Sequence, residues 1–227
     1  MKYMEIEWKE PEELESLALR IIGKHQPMAL EKPQAINILD FMFSACKKFG
    51  YEFRVWPLPK IGTQKAVGCV DNKNKRVFLD FDIACNASVS YSCFFVAAHE
   101  LGHLVLHRQY FENGQTPYDY SDMEDGFPQN SRLEWQANRF ASELLLPRKM
   151  VEVVVISESL RLGITRNFGK IYVDGQACNY DILNGISTAV ANVFMVSKTV
   201  AQIRLKELGL IIGGVSEKSC RKIGDIF

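Results

Sequence analysis

Two histidines four residues apart, His99 and His103, sit at the end of an apolar run and bracket Glu100. On a helix, positions four apart lie about 40° apart around the axis and about one turn along it. Both imidazoles can therefore hold one zinc ion, with Glu100 to one side of them, placed to take a proton from an attacking water. This H-E-x-x-H pattern commits the segment to a helix and points to a zinc-dependent peptidase. A catalytic zinc usually takes three protein ligands and keeps one position open, so the rest of the chain has to supply a third.

The longer pattern H-E-x-x-H-x-x-G-x-x-H is closed, because Leu106 and Gln109 stand where it needs glycine and histidine. His25 lies far upstream in a polar turn and reads as a surface histidine. His107 falls two turns beyond His99 on roughly the same side, far along the axis to share the ion but a candidate ligand or transition-state donor. A carboxylate from another helix remains, and Glu134 is the best placed. It shares a helical stripe with Ala137, Asn138, Ala141 and Leu145, and the two alanines would let its helix approach another closely. Glu143 falls on a different face, where solvent exposure is expected. A carbonyl oxygen that becomes an oxyanion also needs a hydrogen-bond donor. His107, Tyr110, Tyr118 and Tyr120 are the candidates.

The 27 basic and 27 acidic side chains cancel, which argues against broad adhesion to nucleic acid or anionic membrane. No run of eighteen apolar residues occurs, so no membrane span is expected. The six cysteines show no C-x-x-C spacing, Cys46 and Cys93 lie in apolar stretches, and the N-terminus lacks a secretory segment. Together these features suggest a reducing cytoplasm.

Periodicity predicts an α+β chain. Helices are expected over 11–24 and 36–48, the second stopped by Gly50, and strands over 51–56, 65–70 and 75–81. The longest helix, 88–107, carries the metal motif. A long acidic loop, 108–130, follows as a candidate lid. Helices resume over 131–145 and from 148 into the 150s, then a short strand over 168–174. Two helices between 181 and 210 end the pattern, the last capped by Ser197 and terminated by Gly209. The expected division is a core over 1–160 and a smaller, mostly helical C-terminal region over 161–227.

Two blocks of text resemble the ImmA/IrrE family of zinc metallopeptidases. One is Ala98-His99-Glu100-Leu101-Gly102-His103-Leu104-Val105-Leu106-His107. The other begins at Glu134-Trp135-Gln136-Ala137-Asn138-Arg139-Phe140-Ala141 and runs through Ser142-Glu143-Leu144-Leu145-Leu146-Pro147. The likeness covers roughly residues 30–212. It implies a minimal thermolysin-like core, with a small antiparallel sheet packed on the H-E-x-x-H helix. It also implies Glu134 as third ligand, one Zn2+ per chain and Glu100 as the catalytic base. The implied substrate is a helix-turn-helix repressor, cut in a regulated way to release a mobile element, prophage or stress regulon. The long acidic loop and the absence of a basic lead-in over 86–95 set this chain apart from that pattern.

Two other classes stay open at this level. The helix from Ser197 to Leu208, with Lys198, Arg204 and Lys206, superficially resembles half of a helix-turn-helix, which would suit an interaction or DNA-binding protein with a structural or vestigial metal site. A metal-dependent hydrolase acting on something other than protein would share the same ligands.

Overall fold

The computed structural model describes residues 6–61, 64–85, 90–112, 128–165, 169–174 and 176–213. The chain forms two compact units, one of residues 1–18 with 37–141 and the other of residues 19–36 with 142–227. The last of the three divisions falls within a helix, between Ala141 and Ser142.

The first unit holds the N-terminal half of α1 (Pro11–His25), then α2 (Ile38–Phe49) and β1 (Glu52–Trp56). In α2, Ile38, Phe41, Met42 and Cys46 are buried, and Gly50 closes the helix in the left-handed conformation at φ 74°. A two-residue hairpin follows, β2 (Lys60–Ile61) with β3 (Gln64–Lys65), then β4 (Gly68–Asp71) and β5 (Arg76–Asp80).

The three longer strands form one sheet in the order β1-β5-β4. β4 and β5 pair antiparallel, but β1 and β5 run parallel, from Glu52 opposite Arg76 to Trp56 opposite Asp80. The sheet is therefore mixed and not antiparallel as expected. Alternation of side chains marks a strand but carries no information about the direction of its neighbour. Here the connection after β1 carries the chain across to the far side of β5 before the hairpin returns. Side chains bridge the elements at both ends. Tyr51 donates its hydroxyl to Asn72 in the β4–β5 turn at 2.8 Å, and the buried Asp80 carboxylate accepts the amide of Leu58 at 2.9 Å. On β5, Val77 and Leu79 are buried at alternate positions, as a period of two requires.

After α3 (Phe81–Cys85), helical backbone runs without interruption from Ser90 to Glu112. It comprises α4 (Ser90–Gly102), a π turn over His103–His107 and α5 (Arg108–Glu112). In α4, Cys93, Phe95, Val96, Ala97, Ala98 and Leu101 are all buried, which accounts for an apolar run too broad for a surface helix. The helix thus extends into the expected 108–130 loop. At the other end α6 (Pro128–Leu145) begins inside it. Residues 113–127 lie outside the described residues.

The second unit contains a short 3-10 turn (Pro27–Leu30), α7 (Arg148–Arg161), α8 (Ala177–Phe194) and α9 (Lys198–Glu207). β6 (Ile171–Tyr172) and β7 (Ile211–Ile212) pair parallel. Ser197 caps α9 by accepting the Val200 amide at 3.2 Å, and Gly209 ends it at φ 65°. Among the described residues no single helix is long and apolar enough to cross a membrane.

Candidate metal centre

Close approach of two helices builds the site. A Cβ on Gly102 would stand 3.1 Å from the Cα of Ala137 and 3.2 Å from its carbonyl oxygen. Glycine facing alanine thus lets α4 and α6 meet backbone to backbone. One turn before Ala137, Glu134 comes over the histidine pair. The Nε2 atoms of His99 and His103 are 3.0 Å apart, and the Glu134 carboxylate oxygens lie 3.1 Å from the first and 3.3 Å from the second.

These separations suit one small cation. Zinc bonds of about 2.0–2.1 Å in tetrahedral geometry put ligand atoms about 3.3 Å apart. The hydrogen bonding agrees. Asn138 Oδ1 stands 2.9 Å from Nδ1 of His99; accepting the proton there leaves Nε2 as a lone pair. Two imidazoles and a carboxylate then converge, a donor set that a divalent cation satisfies. The site also draws positive charge. Burial opposes ionisation of Glu134, yet the hydrogen bonds to His103 and His99 hold it far below the usual carboxylate range. Burial likewise opposes protonation of His99, and Glu134 and Glu100 outweigh it to raise that group.

Glu100 is buried beside the cluster, under β4. Desolvation lifts its carboxyl above the ordinary value, opposed by the nearby His99 and His103. Gly68 is what makes room for it: a Cβ there would fall 2.4 Å from Glu100 Oε1 and 2.8 Å from Cδ. Three side chains that could hold a metal ion, with a buried carboxylate beside them, form an arrangement suited to hydrolysis.

Residues 91–157 match the IrrE N-terminal-like domain, a model of the M78 peptidase family. The match is partial, covering α4, α6 and most of α7, and is consistent with membership of that family. It encloses His99, Glu100, His103 and Glu134. No curated protein matches the chain.

Within this M78-like segment the structure places two of the four expected donors, His107 and Tyr110. His107 is fully buried, with Nδ1 3.1 Å from Nδ1 of His103 and Nε2 3.1 Å from Gln136 Oε1. Both ring nitrogens are engaged, one by His103 and the other by Gln136. Burial, helped by the nearness of the His103 ring, pushes its pKa down to about 3. Tyr110 is also buried, and its hydroxyl accepts the Glu7 amide at 3.3 Å. Tyr118 and Tyr120 lie outside the described residues. Glu143, expected at the surface, is buried and paired with Arg204.

Helical counting passes over Gln136 and Asn138 as functional groups. Asn138 is on the Glu134 stripe and could have been found there. Gln136 is off that stripe, and its partners, His107 and Glu7, are distant in sequence. Gly68 carries no signal at all, since its role is to lack a side chain.

Proposed function

We propose that the chain is a zinc-dependent endopeptidase that makes a regulated, site-specific cut in a helix-turn-helix repressor, acting in the cytoplasm without itself binding nucleic acid or membrane. The observation that carries this reading is the convergence of His99, His103 and Glu134 ligand atoms beside buried Glu100, within the segment that matches a peptidase family. The substrate class rests on the likeness of the two motif blocks to the ImmA/IrrE peptidases.

His99, His103 and Glu134 would hold one zinc ion. When bound, the ion polarises the scissile carbonyl and makes the attacking water more acidic. Glu100 takes the proton from that water as its oxygen adds to the carbonyl carbon. The carboxyl then delivers the proton to the amine nitrogen as the C–N bond breaks, and returns to the carboxylate. Desolvation favours this exchange, because it brings the proton affinity of Glu100 closer to that needed near neutral pH. β4 is at the edge of its sheet with Gly68 against Glu100. A strand edge beside the base suits an extended peptide, which can add to it through backbone hydrogen bonds.

Zinc-loaded protein incubated with the helix-turn-helix repressor encoded beside it is expected to yield a single cut. Removing the metal with 1,10-phenanthroline should abolish the cut, and added zinc should restore it. A cut that survives complete zinc removal counts against the reading. So does an uncut repressor that is bound by fully zinc-loaded protein.

Gly68→Ala tests the placement of the base. The added methyl displaces the Glu100 carboxylate while leaving the ligands alone, so zinc content stays at wild type and kcat falls by about 10²-fold. An unchanged kcat would mean that catalysis does not need Glu100 where it stands.

A further inference from the structure

Behind the metal centre runs a chain of hydrogen bonds whose direction is fixed from its far end. Gln136 Nε2 donates to the backbone carbonyl of Glu7 at 2.8 Å. A carbonyl can only accept, so the amide orientation is settled and Gln136 Oε1 must be the atom facing His107 Nε2, 3.1 Å away. That oxygen also only accepts, so His107 carries its proton on Nε2 and presents a lone pair at Nδ1. The next atom, 3.1 Å on, is Nδ1 of His103. To bond that lone pair His103 must carry its proton on Nδ1, which leaves its Nε2 as the lone pair beside Glu134 and His99.

We propose that Gln136 and His107 are positioning residues that lock His103 in the tautomer that offers Nε2 to zinc. Metal-bound histidines commonly donate their second nitrogen to a carboxylate, a carbonyl or water. Here a second imidazole takes that place. An imidazole can be donor or acceptor at either nitrogen, so it serves only if its own tautomer is set, and Gln136 sets it. The π turn over His103–His107 brings the two rings together, with centroids 5.1 Å apart. Both His107 and Gln136 are fully buried, so water does not compete for either bond. The origin of the relay is held as firmly. Arg132 donates to the carbonyl of Ile6 at 2.8 Å, and Trp8 stacks on Trp135 at 4.6 Å, fixing Glu7 against α6.

The inference rests on the metal centre of the peptidase proposed above, and not on its substrate. Two measurements test it. Long-range 1H–15N correlation on zinc-free wild type, with the four histidines assigned by single substitution, should show His103 protonated on Nδ1 and His107 on Nε2. Competition with a chromophoric chelator should show zinc affinity about 10–100-fold weaker in Gln136→Leu and His107→Phe. His107→Gln, whose amide offers one acceptor and one donor as the neutral ring does, should recover most of the loss. Cobalt-loaded forms should show the same order in their visible spectra.

A His103 proton on Nε2 in wild type overturns the proposal. So does wild-type zinc affinity in Gln136→Leu, or equal losses in His107→Phe and His107→Gln, which would mark a packing defect instead. If wild type takes up no zinc at all, the metal-centre reading fails, and the tautomer measurement alone decides the relay.

Discussion

Glu100→Gln is expected to lower kcat by about 10²–10⁴-fold while zinc content and thermal stability stay at the wild-type level. The amide has nearly the shape of the carboxylate and fits the same space under Gly68, so the pocket need not rearrange. What it lacks is the capacity to take a proton from water and return it to the leaving nitrogen. Because Glu100 is not among the three converging ligands, its change leaves the His99, His103 and Glu134 set intact. Glu134→Gln makes the contrast: it removes a charged ligand, so zinc uptake and activity should fall together. Metal analysis beside single-turnover cleavage separates the two. Near-wild-type turnover by zinc-loaded Glu100→Gln would remove the base from the mechanism. Loss of zinc in that variant would instead make Glu100 part of the metal shell.

The parts of this arrangement that were legible in the sequence are those governed by local periodicity. His99, Glu100 and His103 declare themselves by spacing, and Glu134 by its small-residue stripe, which Gly102 meets at the helix crossing. Gly50, Ser197 and Gly209 end or begin their helices as their chemistry requires. What escaped depends on partners far along the chain. The parallel pairing of β1 with β5 is accompanied by the Tyr51–Asn72 and Leu58–Asp80 bonds at its two ends, and neither leaves a trace in alternation. His107 reads as a donor facing the substrate when its own helix alone is counted. The amide of Gln136, on another helix, turns it into a support for His103.

Glu143 shows the same effect with a larger energetic consequence. On α6 it falls off the Glu134 face, and an acid there would ordinarily be solvated. Arg204, 61 positions on, changes this. Its guanidinium is fully buried. It donates Nη1 to Glu143 Oε1 at 2.9 Å, Nη2 to Glu143 Oε2, Nε to the carbonyl of Leu146 at 3.1 Å, and Nη1 to Glu207 at 3.3 Å. A guanidinium held in this way cannot reach a phosphate, which removes the central cation from the helix-turn-helix reading of α9. Removing one member of such a pair leaves the other buried with too few partners. Glu143→Leu or Arg204→Met alone should therefore destabilise by about 3–5 kcal/mol, lowering Tm by roughly 10 °C in a chain of this size. Arg204→Lys should lose much of that stability as well, since an ammonium cannot reproduce the two-pronged contact. The double variant Glu143→Leu with Arg204→Met removes both charges together and should regain most of the loss. Thermal melts of the four proteins read this directly. Additive losses in the double variant would show that each group is held by its other contacts and not by the pair.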